Sequence, residues 1–238
     1  NGDMSGHVRV YEWNGSAWVQ KGADIDGEGA FDESGYSVSL SNDGTVLAVG
    51  AYRNDGNSGL LGNSGHVRVY KYENNTWTQL GADIDGEGPD DYFGHSVSIN
   101  NDGTKVAIGA RNANTGHTGH TRVYKYTNNT WTQLGADING EGASDESGYS
   151  VSFSSDGTIL AVGARQHDGN KGHVRVYQYQ TTPITVKQDG TGNFTTITAA
   201  VDAAGDGSTI IVSPGTYTEN ISIKDKSLTL KSSGGPAT

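Results

Sequence analysis

The sequence predicts an all-β chain, built from stacked blades of four short strands and followed by a tail of different organisation. Three observations carry that prediction. GHVRVY begins at Gly6 and Gly65, returns as GHTRVY at Gly119 and again as GHVRVY at Gly172, giving spacings of 59, 54 and 53 residues. Within each copy, apolar and polar residues alternate with the period of a pleated strand and are punctuated by Asn/Asp-Gly turns. Glycine accounts for 36 of the 238 residues and proline for only 4, the composition of a turn-rich chain with many short strands.

Each element of the repeat follows in a constant order. In the HxRVYxY stretch, Val67, Val69 and Lys71 alternate with Arg68, Tyr70 and Tyr72, so a strand is expected. An NG or NN pair then marks a tight turn into a W-x-Q strand. GADI(D/N)GEG is a glycine-rich acidic connection. GxSVSxSxDG begins with another alternating strand and ends in a turn, and the apolar stretch that closes on GA offers neither face to water. LAVGA, VAIGA and LAVGA are therefore the expected buried strands of the three copies. Four strands per unit with turns between them is the pattern of a propeller blade, and one blade cannot cover its own faces. Residues 7–180 are expected to form three four-stranded antiparallel blades, too few to close a ring, with no helix longer than one turn. The extra length of the first copy falls in RNDGNSGLLGNSG.

The pattern changes at Thr181, with TTP as a boundary, which divides the chain into residues 1–180 and 181–238. In the tail, Ile197, Ala200, Val201 and Ala204 share one face of a helix over residues 197–204, and GDG at 205–207 stops it. TIIVSPGTY, NISI and SLTL read as short strands.

Two family resemblances follow from these motifs. The order FGHSV, DGTKVAIGA, GHTRVY resembles the FG-GAP repeat of integrin-α-like β-propellers over residues 1–180; the first and third copies read SGYSV, keeping the glycine without the aromatic. Residues 181–238 resemble the N-terminal cap and first coil of a right-handed parallel β-helix of the pectin-lyase and pectin-methylesterase type. GTYTE, Gly215 to Glu219, is similar to the GxYxE at the start of pectin methylesterases. The catalytic aspartates, glutamine and arginine of that family lie further downstream, so the resemblance implies a fold and not an activity. FG-GAP blades that bind calcium carry a DxDxDG loop where this chain has SNDGT, NNDGT and SSDGT. Asp43, Asp102 and Asp156 are therefore expected to bond to their own turns.

A second acidic pattern is the candidate calcium site. Asp24, Asp26, Glu28 and Asp32 recur as Asp83, Asp85, Glu87 and Asp91, and again as Asp137, Asn139, Glu141 and Asp145. Carboxylates crowded on one loop repel one another unless they are solvated or bridged by a hard cation. Trp18, Trp77 and Trp131 keep one register and are expected to pack between blades. His7, His66, His120 and His173 open a strand in each copy with no second ligand at metal-binding spacing, which predicts a structural role. Asn14, Asn74, Asn128, Asn193 and Asn220 begin N-x-S/T sequons.

Charge and composition limit the function. The net charge of −11 is concentrated in residues 1–180, with 12 basic against 22 acidic side chains, and such a field repels nucleic acid. There is no cysteine, hence neither disulfide nor thiolate metal site, and no apolar run reaches the roughly 20 residues that span a bilayer. The sequence opens inside a repeat without an initiator methionine, so it reads as an internal piece of a longer polypeptide or assembly. With no catalytic acid and base at defined spacing, the expected function is a non-catalytic structural or adhesive module of an extracellular, cell-surface or virion-surface protein, possessing protein chains or surface glycans as partners. The alternative is the substrate-binding part of a secreted polysaccharide-active enzyme whose catalytic coils lie elsewhere.

Overall fold

A computed structural model describes residues 3–55, 62–113, 116–179, 183–204, 208–223 and 228–234. The chain divides into two compact units, Asn1–Gln178 and Tyr179–Thr238. The TTP boundary, the GDG stop and the middle of the long first-copy connection lie wholly or partly outside the described residues.

Among its described residues the first unit is all-β apart from a single helical turn. It opens with β1 (His7–Val8), β2 (Tyr11–Trp13), β3 (Trp18–Gln20) and β4 (Ile25–Asp26), where β2 pairs with β3 and β1 with β4. A five-stranded antiparallel sheet follows: β5 (Ser37–Leu40), β6 (Val46–Ala51), β7 (His66–Glu73) and β8 (Thr76–Gln79) in order, with β9 (Ile84–Asp85) beside the start of β7. The next sheet repeats it as β10 (Phe93–Ile99), β11 (Lys105–Ala110), β12 (His120–Thr127), β13 (Thr130–Gln133) and β14 (Ile138–Asn139). The third comprises β15 (Ser147–Phe153), β16 (Ile159–Ala164) and β17 (His173–Gln178), with the helical turn α1 (His167–Asn170) between the last two. In that turn Asp168 and Gly169 have φ of 50° and 67°, so it does not propagate.

This grouping corrects the expected repeat unit in two ways. The hydrogen-bonded sheet starts at GxSVS and ends at GADI(D/N), whereas the sequence repeat was counted from HxRVY, and a complete sheet has five strands instead of four. The DG turn holds SVS against GA, and HxRVY folds back on GA, so one sheet straddles two counted copies. Asn74 and Asn75 sit at φ 51° and 64°, and Asn128 and Asn129 at 51° and 62°, the paired left-handed residues of a type I′ hairpin joining HxRVY to W-x-Q.

Consecutive sheets pack face to face around the GA strands. β6 and β11 are buried nearly throughout, while β16 buries Leu160, Val162 and Ala164 on one side and leaves Ile159 exposed. The difference is a neighbour: β10 lies against both β6 and β15, whereas Val174 and Val176 of the third sheet remain 67% and 68% exposed. The serines of SVS fasten the stack. Ser37 Oγ donates to the Gly94 carbonyl at 2.7 Å and Ser96 Oγ to the Gly148 carbonyl at 2.8 Å. Ser39 and Ser98 accept from Ile99 N–H and Phe153 N–H, each at 3.0 Å. Each Trp reaches back one unit, Trp77 Nε1 donating to the Lys21 carbonyl and Trp131 Nε1 to that of Leu80. The expected packing role thus holds for Trp77 and Trp131, and Trp18 is exposed.

The second unit contains β18 (Ile184–Val186), α2 (Ile197–Ala203), β19 (Thr209–Val212) and β20 (Thr229–Ser232). The strands form a parallel sheet in which Ile184, Ile210 and Leu230 align. Helix α2 buries Ile197, Ala200 and Val201, and with Ala204 these pack around Val186 and Ile210, the face that its spacing predicts. Its N-terminus is satisfied from two sides: Thr196 Oγ1 accepts from Ala199 N–H, and the Glu219 carboxylate accepts from Ile197 and Thr198 N–H at 3.0 and 2.8 Å. The glutamate of GTYTE is therefore a helix cap, and a three-stranded parallel layer, not a β-helix, is what the described residues form. No helix among them is long and apolar enough to cross a membrane.

Candidate functional site

The acidic residues of each loop turn to different partners, and where two meet across units, as Glu28 and Asp83 do, they meet on an arginine, here Arg68 beside His66. Asp24, Asp83 and Asp137 each receive the guanidinium of the HxRVY arginine in their own unit, Arg9, Arg68 and Arg122. Glu28, Glu87 and Glu141 reach the arginine one unit later, Arg68, Arg122 and Arg175. Asp32, Asp91 and Asp145 accept the N–H of Gly29, Gly88 and Gly142 at 3.0, 2.8 and 2.8 Å, closing their own turns. Asp26, Asp85 and Asn139 lie in the two-residue strands β4, β9 and β14, opposite His7, His66 and His120. The Arg9 side chain holds the Asp24 carboxyl down at about 2, with Gln20 adding to the effect. Arg122 likewise lowers Asp137, while burial raises Asp85 and Asp91.

The repulsion that suggested calcium is thus relieved by an arginine ladder running from unit to unit. Addition of Ca²⁺ or of EDTA with Ca²⁺ is expected to leave the melting temperature unchanged, because no loop offers the several free oxygens that the ion needs. A calcium-dependent rise, measured by differential scanning calorimetry, would reverse this assignment.

The other sequence candidates are structural. Asp43, Asp102 and Asp156 accept from Thr45, Thr104 and Thr158 N–H two residues on, the expected local turn bonds, and Ser154 with Thr158 holds Asp156 at about 2. His66 and His120 are buried, and burial together with Arg122 pushes His120 down to about 4. His173 departs from the expectation: His167 of α1 lies beside it, ring centroids 3.8 Å apart.

One rim of the sheets carries a cluster that no motif announced. The ends of the inner strands of three successive blades bring together Tyr36, Tyr52, Tyr92, His95 and Tyr149, with ring centroids 4.3 Å apart for Tyr36 and Tyr52, 5.1 Å for Tyr36 and His95, and 4.8 Å for His95 and Tyr149. Arg53, Arg111 and Arg165 lie over Tyr52, Tyr92 and Tyr149 at 5.4, 5.0 and 4.4 Å from the ring centres. Glu33 pairs with Arg53, and Glu146 receives Arg111 at 3.4 Å and Arg165 at 2.7 Å. Burial, reinforced by Arg111, lowers His95 to about 4, and its buried Nδ1 has no hydrogen-bond partner. The sequence does hold a trace of this cluster, since an arginine follows each GA, directly in GAR and one residue later in GAYR. Only the sheet topology places those arginines beside the variable residue of GxSVS.

Beside Tyr149 and Arg165 opens a cavity of about 430 Å³, whose wall continues through Ser150, Gly163, Gly172, His173 and Val174. The Tyr149 ring and the Arg165 guanidinium at a cavity of this size suit a small anionic ligand with an apolar ring face.

No protein-family model matches the sequence, and no curated protein matches it. Solved structures match its fold. One, from Bacteroides uniformis ATCC 8492 and described as a "putative 6-phosphogluconolactonase", has 14% identity and a TM-score of 0.52, over 76% of this chain and 46% of that one. The periplasmic gluconolactonase PpgL of Pseudomonas aeruginosa has 16% identity and a TM-score of 0.47, over 72% and 46%. The chain thus spans about half the length of these structures. The comparison corrects several expectations. Neither the FG-GAP nor the pectin-lyase and pectin-methylesterase resemblance is supported: strand alternation, DG turns and small GA residues encode blade packing that unrelated propellers share, and the glutamate of GTYTE serves to cap α2. The expected non-catalytic adhesive module of a virion or cell-surface fibre, and the polysaccharide-active alternative, give way as well, since the fold is one found in a protein described as a lactonase. What the chain shares with the Bacteroides uniformis structure is a propeller-like arrangement of small antiparallel sheets.

Proposed function

We propose that this chain is part of a hydrolase acting on sugar lactones that carry a phosphate or carboxylate, and that the rim cluster is its substrate-binding site. The observation that carries the reading is the row of Arg53, Arg111 and Arg165 over tyrosine rings along one rim, of which the last pair, Arg165 and Tyr149, lines the cavity. Three guanidinium groups against two carboxylates, Glu33 and Glu146, leave a local positive excess on a chain of net charge −11, which favours an anionic substrate. Tyrosine rings can stack on the apolar face of a sugar. His95 is neutral above about pH 4 and can take a proton from the water that adds to the lactone carbonyl and return it to the ring oxygen as the C–O bond breaks. The fold likeness to a protein described as a lactonase supports this reading.

The test is hydrolysis of 6-phosphogluconolactone and gluconolactone by the full chain, followed by acid release, with binding of 6-phosphogluconate measured by calorimetry. Faster hydrolysis of the phosphorylated lactone is expected, with Arg165→Ala raising KM and His95→Gln lowering kcat. The rate should fall as pH drops through about 4, where His95 takes up its proton. Absence of both turnover and phosphogluconate binding overturns the proposal.

A further inference from the structure

We propose that the third blade carries a transition-metal site of zinc type, formed by His167, His173 and Glu141. One ligand atom from each of these residues lies within 4.8 Å of the other two. In a tetrahedral site with metal–ligand distances of about 2.1 Å, neighbouring nitrogen and oxygen donors stand roughly 3.4 Å apart, so the present separations exceed that spacing by no more than about 1.4 Å. Water or a fourth group would fill the remaining position.

Two further features select this cluster. His167 Nδ1 lies 3.0 Å from the Oδ2 of buried Asp145, whose position is held by the Gly142 N–H at 2.8 Å. A carboxylate on one ring nitrogen fixes the tautomer that leaves Nε2 with a lone pair, the arrangement that supports metal-bound histidines. His173 Nε2 is buried without any hydrogen-bond partner, a cost that a metal bond removes. Glu141 also meets Arg175 Nη1 at 3.0 Å, so a bound cation would share or take over that carboxylate.

The repeat supplies an internal comparison. Glu28, His66 and Asp83 occupy a similar position in the first complete blade, but there both carboxylates are engaged by Arg68 and only one imidazole is present. His167 enters through α1, in a connection whose counterparts in the other copies have different lengths and sequences. Imidazole nitrogens favour zinc, cobalt or copper over calcium. This proposal does not rest on the lactonase reading, because it is decided by metal binding alone.

The experiment titrates the metal-free full chain with Zn²⁺ by calorimetry and with Co²⁺ by visible absorption. One Zn²⁺ per chain is expected, together with the intense Co²⁺ bands of a four-coordinate site. His167→Ala and His173→Ala should each abolish the cobalt bands and weaken zinc binding at least about tenfold, while Asp145→Asn, acting through His167, should retain binding that is about tenfold weaker. His7→Ala, far along the sequence in an exposed strand, should change nothing. Circular dichroism of each variant separates lost binding from lost fold. No zinc binding by the parent chain, or binding that survives both histidine substitutions, overturns the proposal.

Discussion

Gly109→Ala is expected to destabilise the first unit by about 3 kcal/mol or more, because a Cβ there would lie 2.0 Å from the Gly148 carbonyl oxygen of the next blade. The clash is with backbone, so no rotamer relieves it, and the blades must separate along the whole GA strand. The same contact recurs one blade earlier, where a Cβ on Gly50 would lie 2.1 Å from the Gly94 oxygen. Gly163 holds the equivalent position in the third blade, yet an added Cβ meets first its own blade's Ser150 Oγ at 2.4 Å, with the nearest described backbone oxygen at 3.7 Å. Gly163→Ala should therefore cost less than about 1 kcal/mol. Urea unfolding of the three variants checks the ordering; equal losses at all three positions would show that the cost is a property of the strand and not of the neighbouring blade.

Arg122→Met should cost about 3 kcal/mol, since it removes one guanidinium from two carboxylates at once. Arg122 is only 6% exposed and binds Asp137 through two nitrogens at 2.8 Å while reaching Glu87 at 2.7 Å. Methionine fills much of the volume but leaves Asp137, which is half-buried, without its counter-charge. The folded state holds Asp137 below its ordinary value of 3.8, so this contribution is present above that pH and fades as the pH falls further. The gap between variant and parent should accordingly narrow in acid. Arg9→Met is the control: its pair with Asp24 lies at the surface, and the melting temperature should hardly move. Chemical denaturation of both variants at pH 7 and pH 3 measures the effect.

Much of the fold was legible because blade architecture is written in local terms. SVS, the DG turn and GA specify a hairpin, NN specifies another, and the four spaced GHxRVY copies announce that the hairpins stack. The helix at Ile197 was legible for the same reason, its four apolar positions defining one face. Sheet membership was not, since a strand beside two turns can pair toward either neighbour, and hydrogen bonding chose GxSVS as the start of the blade.

The candidate site was less legible. Carboxylates on a glycine-rich loop look like calcium ligands when their partners are unknown. The partners, Arg68, Arg122 and Arg175, lie about 35 to 40 residues away along the chain and become neighbours only when blades stack. The rim cluster is hidden more deeply, because Tyr36, His95 and Tyr149 occupy a position that looks variable within the repeat, and His167 belongs to no repeat at all.

Strand order within a hairpin, turn type, the buried GA strands and the cap helix were thus determined by the sequence alone, through short-range alternation and backbone preference. Blade boundaries, the arginine ladder, the rim of aromatic and guanidinium groups and the pairing of His167 with His173 were decided by tertiary structure. They depend on contacts between residues far apart in the chain, and a single sequence records the residue types but not which of them meet.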